Sequence, residues 1–331
     1  MPGSAIESVA RSADAPQAYS PDRDFVLGID FGGTKVAIAT AGLDGEPLQF
    51  ARLETEAARG AMQAVRRALE RAKDLVALTQ RARNGRCLAV GAVSPGIVYA
   101  DRVLLAPNVP GWEELRLPGM LVEGLGHACT QVATDVKAAA LAELRWGSLR
   151  DADPAILVIL GTGLAAAIVI GGEVLQGANG AAGEIGYGSL RGAADGPGAA
   201  DGSAPLEEIA GGRAIGERGS RLLGGTLTAA DVFAHPDPRA RVLVEETLAE
   251  LAVHVANMAI VIDPARIAVG GGLMSHREMV LAALEKRLRS AVPFPPELVA
   301  ARFVHDGSLR GAIALALDAV TSRRPKSEEE Q

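Results

Sequence analysis

The sequence predicts an α/β protein with two domains and a cleft between them, and three features of the chain support this prediction. Its 331 residues exceed one ordinary hydrophobic core, since a domain usually contains roughly 100–200 residues. Its composition, with 48% hydrophobic and 22% charged residues, is that of a folded globular chain. Apolar runs of strand length also alternate with helical patterns, which is typical of α/β folds. A cleft between two such domains is a natural ligand site.

Two strands and a helix open the first half of the chain. Residues 25–30 form an apolar run that ends in a glycine turn at 32–33, and a second apolar run follows at 36–40. This pattern predicts two strands joined by a tight turn. Apolar residues then recur at intervals of three and four from 56 to 79, which predicts an amphipathic helix, and residues 87–93 return to strand character.

The second half repeats this opening, which predicts an internal duplication. Residues 155–160 run into a Gly-Thr-Gly turn at 161–163, and a further apolar run follows at 166–170. The elements predicted beyond this repeat are helices at 206–222, 240–261 and 307–320 and a strand at 266–269.

Domain boundaries follow from this order of elements. We expect a smaller α/β domain at 25–133 and a larger α/β domain at 134–306, with the last helix, 307–320, packing back on the smaller one. The segment 1–24 mixes Ser, Ala, Pro, Asp and Arg without periodicity, and the segment 322–331 is polar. Both are therefore expected to be disordered tails.

Charge and cysteine content exclude several classes of protein. A formal net charge of −7 provides no broad positive field, so nucleic-acid binding is not expected. Cys87 and Cys129 lie far apart without metal-ligand spacing, which predicts two buried thiols in a reducing interior. No stretch has the roughly 18–20 apolar residues of a membrane helix, and no signal-peptide pattern opens the chain. We therefore expect a cytoplasmic protein without a membrane partner.

Three glycine-rich turns follow apolar strands, at 32–34, 161–163 and 270–272. Glycine lets backbone N–H groups close on a bulky anion, so three such turns could surround one triphosphate. A hairpin also uses glycine without any ligand, and that alternative stays open for each turn taken alone. Asp30 and Thr34 offer a carboxylate and a hydroxyl suited to a hydrated Mg²⁺ ion, with a plain turn aspartate as the alternative. The predicted nucleotide-binding residues are Asp30, Gly32, Gly33, Thr34, Lys35, Gly161, Thr162, Gly163, Gly271 and Gly272.

Two common nucleotide-binding motifs are excluded. Residues 28–35 nearly match a P-loop, but the order is Gly-Thr-Lys and a strand follows instead of a helix. No G-x-G-x-x-G follows a strand and opens a helix, so a dinucleotide fingerprint is absent as well. The three turns therefore match neither motif.

Taken together, the motifs resemble those of the ROK family of repressors, uncharacterised reading frames and sugar kinases. LGIDFGGTK at 27–35 is similar to the family's first phosphate motif, LGTG at 160–163 to its second, and IDPARIAVGGG at 262–272 to its adenosine-side motif. The segments that resemble the family's sugar site are PG at 95–96, PNVPGW at 107–112, TDVKAAALAE at 134–143 and GEIGY at 183–187. The order and spacing of all these segments agree with the family's.

This resemblance implies a duplicated, actin-like (ribonuclease H-like) two-domain fold and an ATP-dependent sugar kinase. Such an enzyme transfers the γ-phosphate of Mg-ATP to a hydroxyl of a hexose or amino sugar, and the 6-hydroxyl is the acceptor we expect. The implied general base is Asp135, and the implied cofactors are ATP and Mg²⁺. The resemblance also favours a homodimer. The residues implied to bind the sugar are Gly96, Asn108, Thr134, Asp135, Glu184, Tyr187 and Glu207.

Residue chemistry is compatible with these roles but leaves alternatives open. A carboxylate within about 2.6–3.2 Å can take the proton of an attacking hydroxyl, as implied for Asp135. Asp135 also directly precedes a strong helix-forming segment, so an N-cap is its alternative role. Glu184 and Glu207 could each accept hydrogen bonds from a sugar ring. Glu207 could equally be an ordinary carboxylate in the first turn of a helix.

The sequence departs from the family pattern at several positions. Many members have a histidine at the position of Tyr187 and three downstream cysteines that together bind zinc. Residues 188–207 contain no cysteine, so no zinc site is predicted. Thr134 stands where glucose-type kinases commonly have asparagine and fructose-type members often have threonine, and residues 164–167 have less glycine than usual. The acceptor therefore stays open among glucose, fructose, mannose, kanosamine and N-acetylmannosamine.

Other functions compete with that of an active kinase. A repressor of this family would carry an N-terminal helix-turn-helix of about 60 or more residues, and only 24 residues precede the first predicted strand. A sugar-binding or regulatory member without catalysis is compatible with the changes at Thr134 and Tyr187. A chaperone or filament protein would leave the sugar-site segments without a purpose. Turnover of a sugar separates the kinase from the inactive member.

Overall fold

The structure, a computed structural model, describes residues 19–106, 109–126, 129–190 and 196–322. Two five-stranded sheets form its framework. The strands of the first half are β1 (Phe25–Phe31), β2 (Lys35–Gly42), β3 (Pro47–Glu54), β4 (Cys87–Ser94), the short pair β5 (Ile97–Val98) and β6 (Val103–Leu104), and β7 (Thr130–Thr134). Those of the second half are β8 (Ala155–Leu160), β9 (Leu164–Ile170), β10 (Glu173–Val174), β11 (Arg266–Gly270) and β12 (Glu297–Ala300).

Helices cover these sheets. They are α1 (Ala61–Arg83), α2 (Leu117–Leu125), α3 (Asp135–Trp146), α4 (Glu207–Ala210), α5 (Gly212–Leu223), α6 (Ala229–Ala234), α7 (Pro238–Ile262), α8 (Arg277–Ala291) and α9 (Gly307–Ser322). No helix in the described part of the chain combines the length and apolarity that crossing a membrane requires.

The two sheets share one topology, which confirms the predicted duplication. The strand order is β3-β2-β1-β4-β7 in the first sheet and β10-β9-β8-β11-β12 in the second. In each sheet the first three strands run antiparallel and the last two run parallel to the central one. The α/β class predicted from the alternation of strands and helices is thereby confirmed.

Burial on both faces makes β1 the centre of the first sheet. Phe25, Leu27 and Ile29 point to one face and pack in a cluster with α1. On the other face Val26 packs with Ile313 of α9. The last helix therefore packs on the first sheet, and it covers a sheet face that would otherwise expose apolar surface.

Two predicted helices have different limits in the structure, and glycine explains both differences. The helix predicted at 56–79 begins at Ala61, because Gly60 has a φ of +83° and residues 57–59 form a separate 3-10 turn. The helix predicted at 206–222 consists of α4 and α5, since Gly211 between them is extended, with a ψ of 144°. Apolar periodicity runs through both glycines, so it does not reveal either boundary.

The structure describes only a few residues of the two predicted tails. Residues 20–24 belong to the segment predicted as an N-terminal tail, and in the structure they form a turn. Asp24 of this turn is 2% exposed and accepts hydrogen bonds from the backbone N–H groups of Ser20 and Arg86, at 2.8 and 2.9 Å. Residues 1–18 and 323–331 lie outside the described part.

The direction of the parallel strands determines at which edge of each sheet the predicted site residues lie. β1, β4 and β7 are parallel, so the residues that follow Phe31, Ser94 and Thr134 emerge at one edge of the first sheet. In the second sheet β8 and β11 are parallel and end at the turns near 161 and 271. Ligand sites of open α/β sheets lie at such carboxyl ends of strands.

Candidate active site

Asp135 lies where β7 passes directly into α3. Thr134, which is 7% exposed, is the last residue of the strand and occupies the N-cap position of the helix. Asp135 is therefore the first helical residue, and the N-cap alternative considered for it is wrong. Its Oδ1 accepts a hydrogen bond of 2.7 Å from the backbone N–H of Val136. A carboxylate in this position also benefits from the positive end of the helix dipole.

A second carboxylate, Asp30 at the end of β1, lies close enough to Asp135 for their charges to interact. Burial raises the pKa of Asp30, the negative charge of Asp135 adds to this effect and Arg52 opposes it, and the pKa that results is about 7. Burial likewise raises the pKa of Asp135 to about 6, against the hydrogen bond from Val136. Both carboxyls thus exchange protons near neutral pH, as a general base or metal ligand of an active site often does.

Glu184 and Glu207 extend this acidic cluster. Burial raises the pKa of Glu184, and the charges of Asp135 and Glu207 add to that effect while Lys137 opposes it. Burial also raises the pKa of Tyr187, with contributions from both glutamates. The structure therefore connects five predicted site residues from four parts of the chain through neighbouring charges: Asp30, Asp135, Glu184, Tyr187 and Glu207.

Glu207 connects this cluster to the second glycine turn. It begins α4, and its Oε2 accepts a hydrogen bond of 2.8 Å from the backbone N–H of Leu164, the first residue of β9. A side chain at Gly163 would collide with the same carboxylate. Glu207 is thus a carboxylate in the first turn of a helix, which was its alternative role, and its charge also acts on Glu184 and Tyr187.

The second and third glycine turns lie side by side at the ends of β8 and β11. Gly271 has a φ of +93°, and a Cβ there would meet the backbone of Leu160. The N-terminus of α5 closes the other side, because Gly212 N–H donates to the Gly161 carbonyl at 2.9 Å and Arg213 N–H to that of Thr162 at 3.0 Å.

A cavity of about 680 Å³ opens beside these two turns. Gly161, Thr162 and Gly272 line it together with residues of α5, α6 and the loop between them. Its volume lies within the range typical of small-molecule sites. A Cβ built on Gly272 would have no neighbour within 4 Å, so the backbone of the third turn borders open space.

The first glycine turn is held within its own half of the chain. Gly32 N–H donates to the Lys35 carbonyl at 2.9 Å, and Thr55 bonds to the carbonyls of Thr34 and Gly32 at 2.8 and 2.7 Å. Thr34 and Lys35 are exposed. Asp30, which precedes the turn, interacts with Asp135 at the same edge of the sheet.

Of the remaining predicted sugar-site residues, Gly96 lies in the turn between β4 and β5. Gly96 has a φ of +76° and packs against the backbone at Leu104. Sequence reasoning missed Ser94, whose buried hydroxyl accepts a hydrogen bond of 2.8 Å from Nε1 of Trp112. The Trp112 ring in turn packs on Phe31, next to Asp30, with the ring centres 5.6 Å apart. The predicted sugar ligand Asn108 lies outside the described residues.

Lys137 is a second residue that sequence reasoning missed. It lies one helical position after Val136 in α3, is only 3% exposed, and its Nζ donates to the backbone carbonyls of Gln176, at 3.1 Å, and Gly180. Its signal in the sequence is weak but present. It is the single charged residue in the run 136–142, which is otherwise apolar.

The donor set beside the first turn fits Mg²⁺. The Asp30 carboxylate and the Thr34 hydroxyl are oxygen donors, the type of ligand that Mg²⁺ prefers, and this ion usually binds to one or two carboxylates together with substrate phosphates and water. Within the described ranges, no group of three or more His, Cys, Asp or Glu side chains is placed to hold a metal ion. The absence of zinc stays a prediction.

Comparison with known proteins identifies the family. The model of the ROK family matches residues 26–319. The chain belongs to the ROK family. The duplicated, actin-like two-domain fold of ROK sugar kinases, predicted from the sequence, is confirmed by solved structures that superimpose on this one.

Several members of the ROK family show how close this similarity is. The N-acetylmannosamine kinase of Escherichia coli O7:K1 is 32% identical over 306 residues, which are 88% of this chain and 98% of that protein. A ROK glucokinase from Streptomyces griseus, solved with glucose and AMPPNP, is 26% identical with a TM-score of 0.72, over 89% of this chain and 99% of that one. A ROK hexokinase from Thermus thermophilus is 26% identical with a TM-score of 0.73, over 90% of this chain and 99% of that one.

Proposed function

We propose that the protein is an ATP-dependent sugar kinase in which Asp135 is the general base. The observation that carries this proposal is the position of Asp135, half-buried at a helix N-terminus beside Asp30 and Glu184, with a pKa raised to about 6. A carboxylate with such a pKa is deprotonated at pH 7 and still basic enough to accept the proton of a hydroxyl as it attacks. The sugar kinases among its relatives support the same reading.

ATP would bind along the glycine turns. The cavity beside residues 161–163 and 270–272 would receive the nucleoside end, and the turn at 32–34 would approach the terminal phosphates from the other half of the chain. Asp30 would hold Mg²⁺ through water, with Thr34 beside it. The bound ion would neutralise charge that develops on the phosphoryl group during transfer.

The sugar would bind in the acidic cluster. Glu184 and Glu207 would accept hydrogen bonds from neighbouring hydroxyls, and Asn108 would complete these contacts. Gly96, Thr134 and Tyr187 would border the ring. Holding the acceptor hydroxyl in line with the γ-phosphate lowers the entropic part of the barrier, which is most of what a kinase has to supply.

The acceptor is a hexose or an amino sugar, and the expected position is its 6-hydroxyl. N-acetylmannosamine and glucose are the first compounds to test, because related proteins are named for them. We also propose that the domains 25–133 with 307–320 and 134–306 close over the sugar, which would limit hydrolysis of ATP by water. A homodimer and a cytoplasmic location stay predictions of the family resemblance and of the composition.

The experiment that tests this function is ADP release from Mg-ATP with glucose, fructose, mannose, kanosamine and N-acetylmannosamine in separate reactions, with a reaction lacking sugar as the control. The proposal predicts sugar-dependent ADP release with at least one of them and a phosphorylated sugar in the product. ADP release that is the same with and without every sugar, together with sugar binding in calorimetry, would instead support a sugar-binding member without catalysis.

A further inference from the structure

The loop at 175–183, which leads from β10 to Glu184, is held by side chains from two other parts of the chain. Lys137 of α3 donates to the carbonyl oxygens of Gln176 and Gly180. From the first half of the chain, the hydroxyl of Tyr99, which follows β5, donates to the carbonyl oxygen of Asn179 at 2.7 Å. Both contacts therefore fall on the short segment directly before Glu184.

The composition of this loop makes such contacts necessary. Gly177, Gly180 and Gly183 have φ values of +76°, +72° and +91°, a conformation that glycine adopts readily but also leaves readily. Backbone hydrogen bonds of 2.8 Å fix the two ends of the loop to β9, from Leu175 N–H to the Ile168 carbonyl and from Ala166 N–H to the Gly183 carbonyl. Between these ends the backbone contacts are longer, since Gly180 N–H reaches the Gly177 carbonyl only at 3.4 Å and Ala182 N–H that of Gln176 at 3.2 Å. Fixing the loop costs conformational entropy that contacts from outside must offset.

Burial of a lysine is costly unless its ammonium group finds acceptors and a compensating charge. Lys137 has both, because two carbonyl oxygens accept from Nζ and the negative charge of Glu184 lies nearby. An ammonium group has three donors, so it can serve two carbonyls at once, as no neutral aliphatic side chain of similar length can. A lysine in this place is thus explained by the loop it holds.

We propose that Lys137 is a positioning residue that fixes the loop 175–183 and thereby places Glu184 against the sugar. This inference rests on the proposed function of the same site. Lys137 lies two residues after Asp135 on one helix, so it ties the position of Glu184 to that of the general base. Since the loop belongs to the sugar side, its loss of order should weaken sugar binding and leave ATP binding unchanged.

The test compares Lys137→Met, which keeps length but removes donors and charge, with Lys137→Arg, which keeps the charge. Arg145→Met is the matched control, because Arg145 lies at the far end of the same helix and pairs with Asp318 at 2.7 Å. Two measurements are made on each folded variant: KM for sugar and for ATP, and hydrogen–deuterium exchange of peptides that cover 175–184. Lys137→Gln replaces the Met variant if the latter does not fold.

The proposal predicts that Lys137→Met raises KM for the sugar about tenfold or more, by analogy with other lost charge-assisted hydrogen bonds. KM for ATP should change by less than about twofold. Hydrogen–deuterium exchange at 175–184 should become faster. Lys137→Arg should recover most of the sugar affinity, and Arg145→Met should behave as the natural protein.

The outcomes separate this proposal from the proposed function. An active kinase whose Lys137→Met variant keeps its sugar KM and its exchange at 175–184 contradicts the positioning role while the function stands. If the natural protein phosphorylates no sugar, faster exchange and weaker sugar binding in calorimetry for Lys137→Met still support the positioning role. Unchanged exchange in an inactive protein overturns both.

Discussion

The carboxylate of Glu207 accepts a hydrogen bond of 2.8 Å from the backbone N–H of Leu164, so one side chain connects the proposed sugar site to the second glycine turn. Because Leu164 directly follows that turn, Glu207→Ala should weaken the binding of both substrates. We predict that it raises KM for sugar and for ATP, each by about tenfold, since a buried N–H loses a charged acceptor. Steady-state kinetics with each substrate varied in turn measures both effects.

A neighbouring glutamate supplies the control for this prediction. Glu208 is exposed, and its Oε1 accepts only from the backbone N–H of Ala204, at 3.1 Å, among the described contacts of its side chain. Glu208→Ala should therefore leave both KM values within about twofold, since changes at exposed sites have small effects. Equal effects of the two substitutions would show that Glu207 has no special role.

The raised pKa of Asp135, about 6, predicts how activity depends on pH. The base acts only when deprotonated, so kcat/KM for the sugar at saturating Mg-ATP should be nearly constant above pH 7 and fall about tenfold per pH unit below 6. The residual activity of Asp135→Asn should lack this decrease. A natural enzyme with constant kcat/KM down to pH 5 would contradict the assignment.

The same shifts predict how stability depends on pH in the protein without ligands. The pKa values of Asp30 and Asp135 are raised from an ordinary 3.8 to about 7 and about 6, so the folded state holds protons that the unfolded state releases. The free energy of unfolding should therefore decrease as pH rises from about 4 to 7. Asp135→Asn removes one such group and should stabilise the protein by about 1–3 kcal/mol at pH 8.

Urea unfolding at pH 8 and at pH 5 measures this effect. The gain from Asp135→Asn should shrink at pH 5, where less of the charge has to be buried. Asp101→Asn is the control, because its carboxyl is 68% exposed and its loss should not change stability at either pH. Destabilisation by Asp135→Asn at pH 8 would show that the carboxylate is not buried at an energetic cost.

The hydrogen bond from Trp112 to Ser94 predicts an effect on stability next to the proposed sugar site. Both residues are at most 2% exposed, so Ser94→Ala leaves the indole N–H without its partner at 2.8 Å. The expected loss is about 1–3 kcal/mol of stability. The double variant Ser94→Ala/Trp112→Phe should lose less stability than the sum of the losses in the two single variants. Full additivity in urea unfolding would show that the hydrogen bond contributes nothing.

Local patterns were sufficient for much of the fold. The strand-turn-strand pattern that recurs at 25–40 and 155–170 predicted the duplication, because each copy encodes a hairpin within about 16 residues. The break at Gly211 was not predicted, since the apolar period continues through it and only packing against the second glycine turn decides the backbone there. Tertiary context overrides local pattern at such positions.

The sequence predicted which residues belong to the candidate site better than it predicted the contacts between them. The motifs that resemble ROK kinases indicated Asp135, Glu184 and Glu207, and the family is now established. Lys137 was overlooked because it contacts carbonyls about 40 residues further along the chain, and no spacing pattern reports such a contact. The bond from Glu207 to Leu164 is long-range in the same way.

The measurement that tests the central claim most directly is single-turnover transfer from Mg-ATP to the preferred sugar by the natural protein and by Asp135→Asn, with the affinity of each for sugar and ATP measured by calorimetry. If Asp135 is the base, the substitution lowers the transfer rate by about 10²–10⁴ while both affinities stay within about threefold. A variant that binds both substrates and transfers phosphate at nearly the natural rate would contradict the account.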